Sequence, residues 1–280
     1  MDSLLEDENA EAPQEGALVP IVALGAAGVR VARELSERLD GLALLEIADA
    51  GREGAAPENV PELDLPADAP IRYVLYDRAE VGADFVQAVA AQARADGKVI
   101  AFEIAAQGEK RAPSWLLGVD VLIRVADEAE CLAAAEMLLP MAAPHGLISV
   151  DADDVLALFG GADVVHVGIG TATGAQAVNV AVEQALGALV WKPEFLRGIL
   201  LSITGNENLG MKEIDAATTA IMERASKDCN IVFGAEVNPE IGDYVRVTIL
   251  ATCGKRKDSH DASEWMMEML EEKFATDDNR

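Results

Sequence analysis

Short apolar runs alternate along this chain with stretches of helical period, and that alternation leaves few folds open. Leu18–Leu24 (LVPIVAL) is apolar and stops at Gly25. Val29–Leu39 follows with Val31, Ala32 and Leu35 on one helical face and Arg30, Arg33, Glu34, Glu37 and Arg38 on others. Further strands are expected over Leu42–Ile47 (LALLEI), Ile71–Tyr76 (IRYVLY), Val99–Ile104 (VIAFEI) and Val119–Val125 (VDVLIRV). Helices are expected over Asp84–Ala95 and Glu128–Leu139, and a Pro-, Gly- and acid-rich loop separates the second strand from the third. Strand–helix alternation of this kind implies a parallel sheet covered by helices, a Rossmann-like α/β domain over 18–140.

The second half has a different rhythm. Asp151–Phe159 reads as a short helix with acids at its N-terminus, as the helix dipole prefers. Strands are expected at Asp163–Gly168 and Gly198–Thr204, and helices at Ala175–Leu186 and Lys212–Ser226. Asn230–Val237 and Tyr244–Thr252 are two strand-like runs joined only by the turn NPEIGD, which implies opposite directions. This predicts a smaller α+β domain over 146–253 with a mixed four-stranded sheet, as a second rigid body beyond a seam at Pro140–His145. Residues 1–17 read as a disordered acidic arm. Residues 254–280 read as a basic linker (GKRK) and an amphipathic tail helix, with Trp265, Met266, Met269, Leu270 and Phe274 on one stripe.

Composition excludes several classes. The net charge of −27 repels nucleic acid and anionic lipid. No apolar run is long enough to span a membrane, and the acidic N-terminus does not read as a secretory signal, so a cytoplasmic location is expected. Cys131, Cys229 and Cys253 have no metal-binding spacing, and the three histidines are unpaired in sequence. Neither a metal site nor a serine-type triad is expected, and the cysteines read as small core residues.

From Gly146 to Cys253 the chain resembles the C-terminal domain of FtsZ, the bacterial tubulin homologue. The blocks that carry the resemblance are GLISVDADDV (Gly146–Val155), GIGTATG (Gly168–Gly174), RGILLSITGNENLGMKEI (Arg197–Ile214) and DCNIVFGAEVNPEIGDYVRVTILATC (Asp228–Cys253), in the family's order. The resemblance implies the FtsZ/tubulin architecture and a cytoskeletal, cell-division-related role. The first half is similar to the family's GTPase domain in outline only. LGAAGVRVAREL (Leu24–Leu35) stands where the family has a glycine-packed phosphate loop followed by an Asn. Gly25 and Gly28 are kept, and Arg30 takes the Asn position. Asp49 of IADA is kept where the family has Asn-Thr-Asp-Ala.

The Gly/Thr-rich signature loop that wraps the phosphates in this family is replaced by YDRAEVGADF (Tyr76–Phe85), with one glycine and three acids. Side chains obstruct a cradle of inward N–H groups, and carboxylates repel a triphosphate. VADEAE (Val125–Glu130) replaces the guanine-side element, and the link to the second half is too short for the family's full central helix. Asp151 and Asp154 match the acids that reach into the neighbouring subunit's nucleotide site. Without such a site they read as an N-cap and dipole partners of their helix. The residues assigned to a vestigial trans-acting loop are therefore Asp151 and Asp154. Those assigned to a residual nucleotide face are Gly25, Gly28, Arg30 and Asp49.

The chain is thus expected to be a degenerate GTPase without a bound cofactor. It would act as a homo-oligomer or with an FtsZ-family partner, Arg30, Arg33, Arg72 and Arg78 being available to pair with Asp151 or Asp154 across the contact. The alternative is a divergent homologue that still holds GTP or GDP, with Arg30 or Arg33 on the phosphates. A dinucleotide enzyme is the weakest reading: Gly25-Ala-Ala-Gly28 and Glu46 fit superficially, but the Gly-x-Gly-x-x-Gly spacing is missing.

Overall fold

The computed structural model describes residues 18–50, 60–66, 69–94, 97–105, 117–139, 150, 152–162, 164–190 and 192–253. The expected N-terminal arm, the seam and the tail helix lie outside them. In chain order the elements are β1 (Val19–Leu24), α1 (Gly25–Arg38), β2 (Leu42–Ile47), β3 (Ile71–Asp77), α2 (Ala83–Ala93), β4 (Lys98–Ile104), β5 (Val121–Val125) and α3 (Glu128–Leu138). They continue with α4 (Ala152–Phe159), β6 (Val165–Thr173), α5 (Ala177–Ala188), β7 (Gly198–Gly205), α6 (Met211–Met222), β8 (Asn230–Val237) and β9 (Tyr244–Thr252).

The strands form one sheet in the order β2-β1-β3-β4-β5-β6-β9-β7-β8. All neighbours from β2 through β6 are parallel, as are β7 and β8. Only β9 runs against its neighbours β6 and β7. The α/β class and the mixed four-stranded C-terminal sheet are as expected. The direction inferred for the last two strands is also right, but they do not pair: β7 lies between them. A parallel β7–β8 pair needs a crossover, and α6 supplies it.

The two expected bodies share this sheet. β5 pairs directly with β6 at Ile123↔Val165 and Arg124↔His166, so the sheet runs unbroken from one half to the other. The core follows the sheet across the join. Phe159, Val165, Leu200 and Leu250 are buried in one cluster with Ile123, Leu132 and Leu138. On the other face α5 and α6 cover Ile199, Leu201, Ile203, Val247 and Ile249. With few aromatics, close approach does much of the packing. A Cβ at Gly170 would lie 1.9 Å from the Ala181 carbonyl oxygen, and one at Gly168 2.1 Å from that of Ala185. The glycines of GIGTATG therefore let α5 rest on the β6 backbone, and β6 runs on to Thr173, well past the expected Gly168. Cys131 is buried and Cys229 and Cys253 are half-buried, all as free thiols.

A shared sheet and core imply coupled unfolding. Phe159→Ala removes a fully buried ring and is expected to cost roughly 3–5 kcal/mol. Amide exchange in β1–β5 and in β6–β9 should then accelerate together. Destabilisation confined to one half would show that the join does not couple them.

Candidate functional site

In a doubly wound sheet, ligands sit beyond the carboxyl ends of the strands, where successive connections depart in opposite directions. Here that point is the crevice between β1 and β3, since the chain leaves β1 for β2 on one side and returns to β3 on the other. Three of the expected site residues meet there. Gly25 opens α1 at φ +70°, and Gly28 lies so close to β3 that a Cβ would come within 2.4 Å of the Leu75 carbonyl oxygen. Arg30 follows in the next turn. Asp49 is exposed in the turn after β2.

The crevice is filled from within the chain. The Ala27 N–H donates to Glu80 Oε2 at 2.9 Å. The loop after β3 holds that carboxylate in place: the Ala79 N–H donates to Asp77 Oδ1 at 2.7 Å, and the Glu80 and Val81 N–H groups donate to the Asp77 carbonyl at 3.1 and 2.9 Å. Arg30 turns to the β5–α3 side, where Nη2 meets Glu128 Oε1 at 2.6 Å and Nε donates to both Glu128 oxygens at 3.2 Å. That hydrogen bonding raises the Arg30 pKa above its ordinary value. Arg33 forms a two-point pair with Glu46, which lowers the Glu46 carboxyl pKa. Arg72 is buried and donates to the Pro66 carbonyl at 3.2 Å, and Arg78 lies 3.5 Å from Glu103. The arginines expected to serve an intersubunit contact thus have partners within the chain.

Beside the crevice is a cavity of about 300 Å³ lined by Tyr76, Arg78, Glu80, Val81, Glu103 and Leu117, among others. Glu103 is fully buried. Its Oε1 accepts from Arg124 Nε and its Oε2 from the Tyr76 hydroxyl, each at 2.8 Å. Burial, and then the Glu103 charge, push the Tyr76 hydroxyl well above the usual tyrosine range. Glu103 and Arg124 are register partners on adjacent parallel strands. The sequence reading missed this pair, although each is a lone charge in an apolar run, VIAFEI and VLIRV, and a lone charge in a buried strand requires a partner. The reading also took Glu80 only as a charge that repels phosphate.

The second half holds a larger cavity of about 730 Å³, lined by Gln176, Asn206, Asn208, Lys212 and Glu213 together with the β6–α5 turn. It contains none of the expected site residues. Asp154 is exposed in the first turn of α4 beside Asp153, on a helix that packs against β7 and β8. Asp151 lies outside the described residues. No group of three or more His, Cys, Asp or Glu among the described residues is placed to hold a metal ion. No helix of the described residues is long and apolar enough to cross a membrane.

Comparison with known proteins gives the same architecture. Residues 163–255 match the FtsZ family, C-terminal domain. The chain superposes on the empty FtsZ dimer from M. jannaschii with a TM-score of 0.69 at 17% identity, covering 88% of this chain and 94% of that one. The GDP-bound monomer of CetZ1 from Haloferax volcanii gives 0.60 at 14% identity, over 91% and 99%. The GTPgS-bound CetZ2 protofilament from the same organism gives 0.55 at 14%, over 93% and 99%. The fold is that of FtsZ and CetZ, and the resemblance seen in the sequence holds.

Two outcomes follow for the buried pair. Glu103→Ala leaves Arg124 without its carboxylate and is expected to cost roughly 3–5 kcal/mol in urea titration. A loss under about 1 kcal/mol would show the pair to be well solvated. For Tyr76, the folded-state pKa lies above the unfolded value of about 10. Its stability contribution is complete below that value and falls as pH rises, because only the unfolded chain releases the proton. Tyr76→Phe should therefore flatten the loss of stability above about pH 10, and an unchanged slope would contradict the assignment.

Proposed function

We propose that this chain is an FtsZ-like cytoskeletal protein that does not hydrolyse GTP. It works by assembling with copies of itself or with an FtsZ-family partner, in a cell-division-related role. The observation that carries the reading is the Glu80 carboxylate on the Ala27 amide. It puts a fixed negative charge where an incoming phosphate would need the α1 amides, while Asp77 at the end of β3 and Asp84 in the first turn of α2 add like charge on either side of it. The positive groups that would offset this are turned elsewhere, Arg30 to Glu128 and Arg33 to Glu46.

Support for assembly comes from relatives described as an FtsZ dimer and a CetZ2 protofilament. It also comes from the C-terminal segment, where the family match concentrates. The Asp153–Asp154 turn acts in this reading as a helix-end charge that can also take part in a subunit contact, without a nucleotide to act on. Because acids outnumber bases across the chain, contacts between copies strengthen as salt screens their repulsion.

The test is phosphate release from GTP by the purified full chain, together with sedimentation velocity over a salt series with and without GTP. The expected outcome is no release above buffer background and short oligomers that GTP does not change. Saturable release that Asp154→Ala abolishes, or a filament that requires GTP, would overturn the reading.

A further inference from the structure

The Glu80 contact has features that an incidental surface hydrogen bond lacks. The first turn of α1 contains no acidic residue, and its N-cap, Leu24, offers no side-chain acceptor. The negative charge that this helix end favours comes instead from fifty-three residues further along the chain. The seat is shaped for it: a Cβ at Gly25 would lie 2.7 Å from Glu80 Oε2 and 3.1 Å from a Val81 methyl. Any residue but glycine there would displace the carboxylate, besides being strained at φ +70°. Val81 is buried, so the turn that presents Glu80 is anchored in the core. And the seat lies at the switch point of the sheet, the place where this architecture receives ligands.

We propose that Glu80 is a tethered anion, whose carboxylate occupies from within the chain the seat at the β1–β3 crevice that would otherwise take an external oxyanion such as phosphate. The inference rests on the reading of this crevice as closed to nucleotide. A tethered group competes at the millimolar effective concentration or more that a short intramolecular link provides, so a free oxyanion gains little against it. Removing the carboxylate leaves the Ala27 amide without an acceptor and opens space beside Gly25, a loss that an external oxyanion can make good.

The experiment titrates the full chain with inorganic phosphate, against chloride at matched ionic strength, while following the Ala27 amide resonance and Tm. In Glu80→Ala the amide is expected to shift saturably, and Tm to rise by roughly 2–4 °C at saturating phosphate. The wild type and Glu80→Gln, which keeps an acceptor of the same shape, should show neither. If Glu80→Ala folds only when phosphate is present and not with chloride, the inference is supported. If it does not fold with either, or if its Ala27 amide does not respond, or if the wild type responds equally, the inference is overturned. GTP turnover by the wild type would remove the proposed function and leave the phosphate result to be read on its own. A missing response without turnover would remove only the tether.

Discussion

β5 meets β6 at two register positions, and that short parallel pairing organises the molecule. It lines up five strands of the first half with four of the second. It also carries one face of the core through Val165, Leu200 and Leu250 without a break. The join is reinforced at its surface by Glu136 of α3, which pairs with Arg38 of α1 and lies 3.6 Å from Arg246 of β9. Two half-exposed ion pairs add little energy, so the join rests mainly on backbone hydrogen bonds and buried apolar surface.

The crevice at β1 and β3 follows from the same economy of sequence. Gly28 keeps α1 against the Leu75 carbonyl, so the N-terminus of the helix stands at the carboxyl ends of β1 and β3. The loop after β3 holds a single glycine, Gly82, and places the Glu80 carboxylate on the Ala27 amide. A helix terminus with no acceptor is costly, and the Glu80 carboxylate on the Ala27 amide reduces that cost. Glu103 and Arg124 do the same for the next strands, closing the carboxyl ends of β4 and β5 with a pair internal to the chain.

What could be read from the sequence was what depends on period and backbone. The strands LALLEI and GILLSIT, the helix over Lys212–Ser226 and the turn NPEIGD were legible because each is a local pattern. Their positions agree with the structure to within a few residues at most ends. The β7–β8 adjacency was not legible, because a tight turn fixes the direction of two strands and not whether a third inserts between them. The continuous sheet was hidden for a similar reason, since a change of rhythm near residue 140 marks a change of connection, not of hydrogen bonding. At the site, Gly25, Gly28 and Arg30 were legible as candidates through the resemblance of LGAAGVRVAREL to the family's phosphate loop, and they lie in the first turns of α1. Glu80's role was not, because a contact across fifty-three residues leaves no local trace, and Arg30's choice of Glu128 depends on the same kind of long-range placement.

The charge balance ties these points together. Arg30, Arg33, Arg38, Arg94, Arg124, Arg224 and Arg246 all have carboxylate neighbours within the chain, which offset part of their charge. The excess of acid behind the net charge of −27 then dominates the field beyond the surface. Two copies approaching one another carry like net charge, and salt, a basic partner or a contact rich in apolar and backbone groups offsets that repulsion. The C-terminal half has such groups within reach: Met211, Met222 and Tyr244 are among its exposed large side chains, and β8 is an open sheet edge. Any contact between copies of this chain would thus respond to the ionic surroundings.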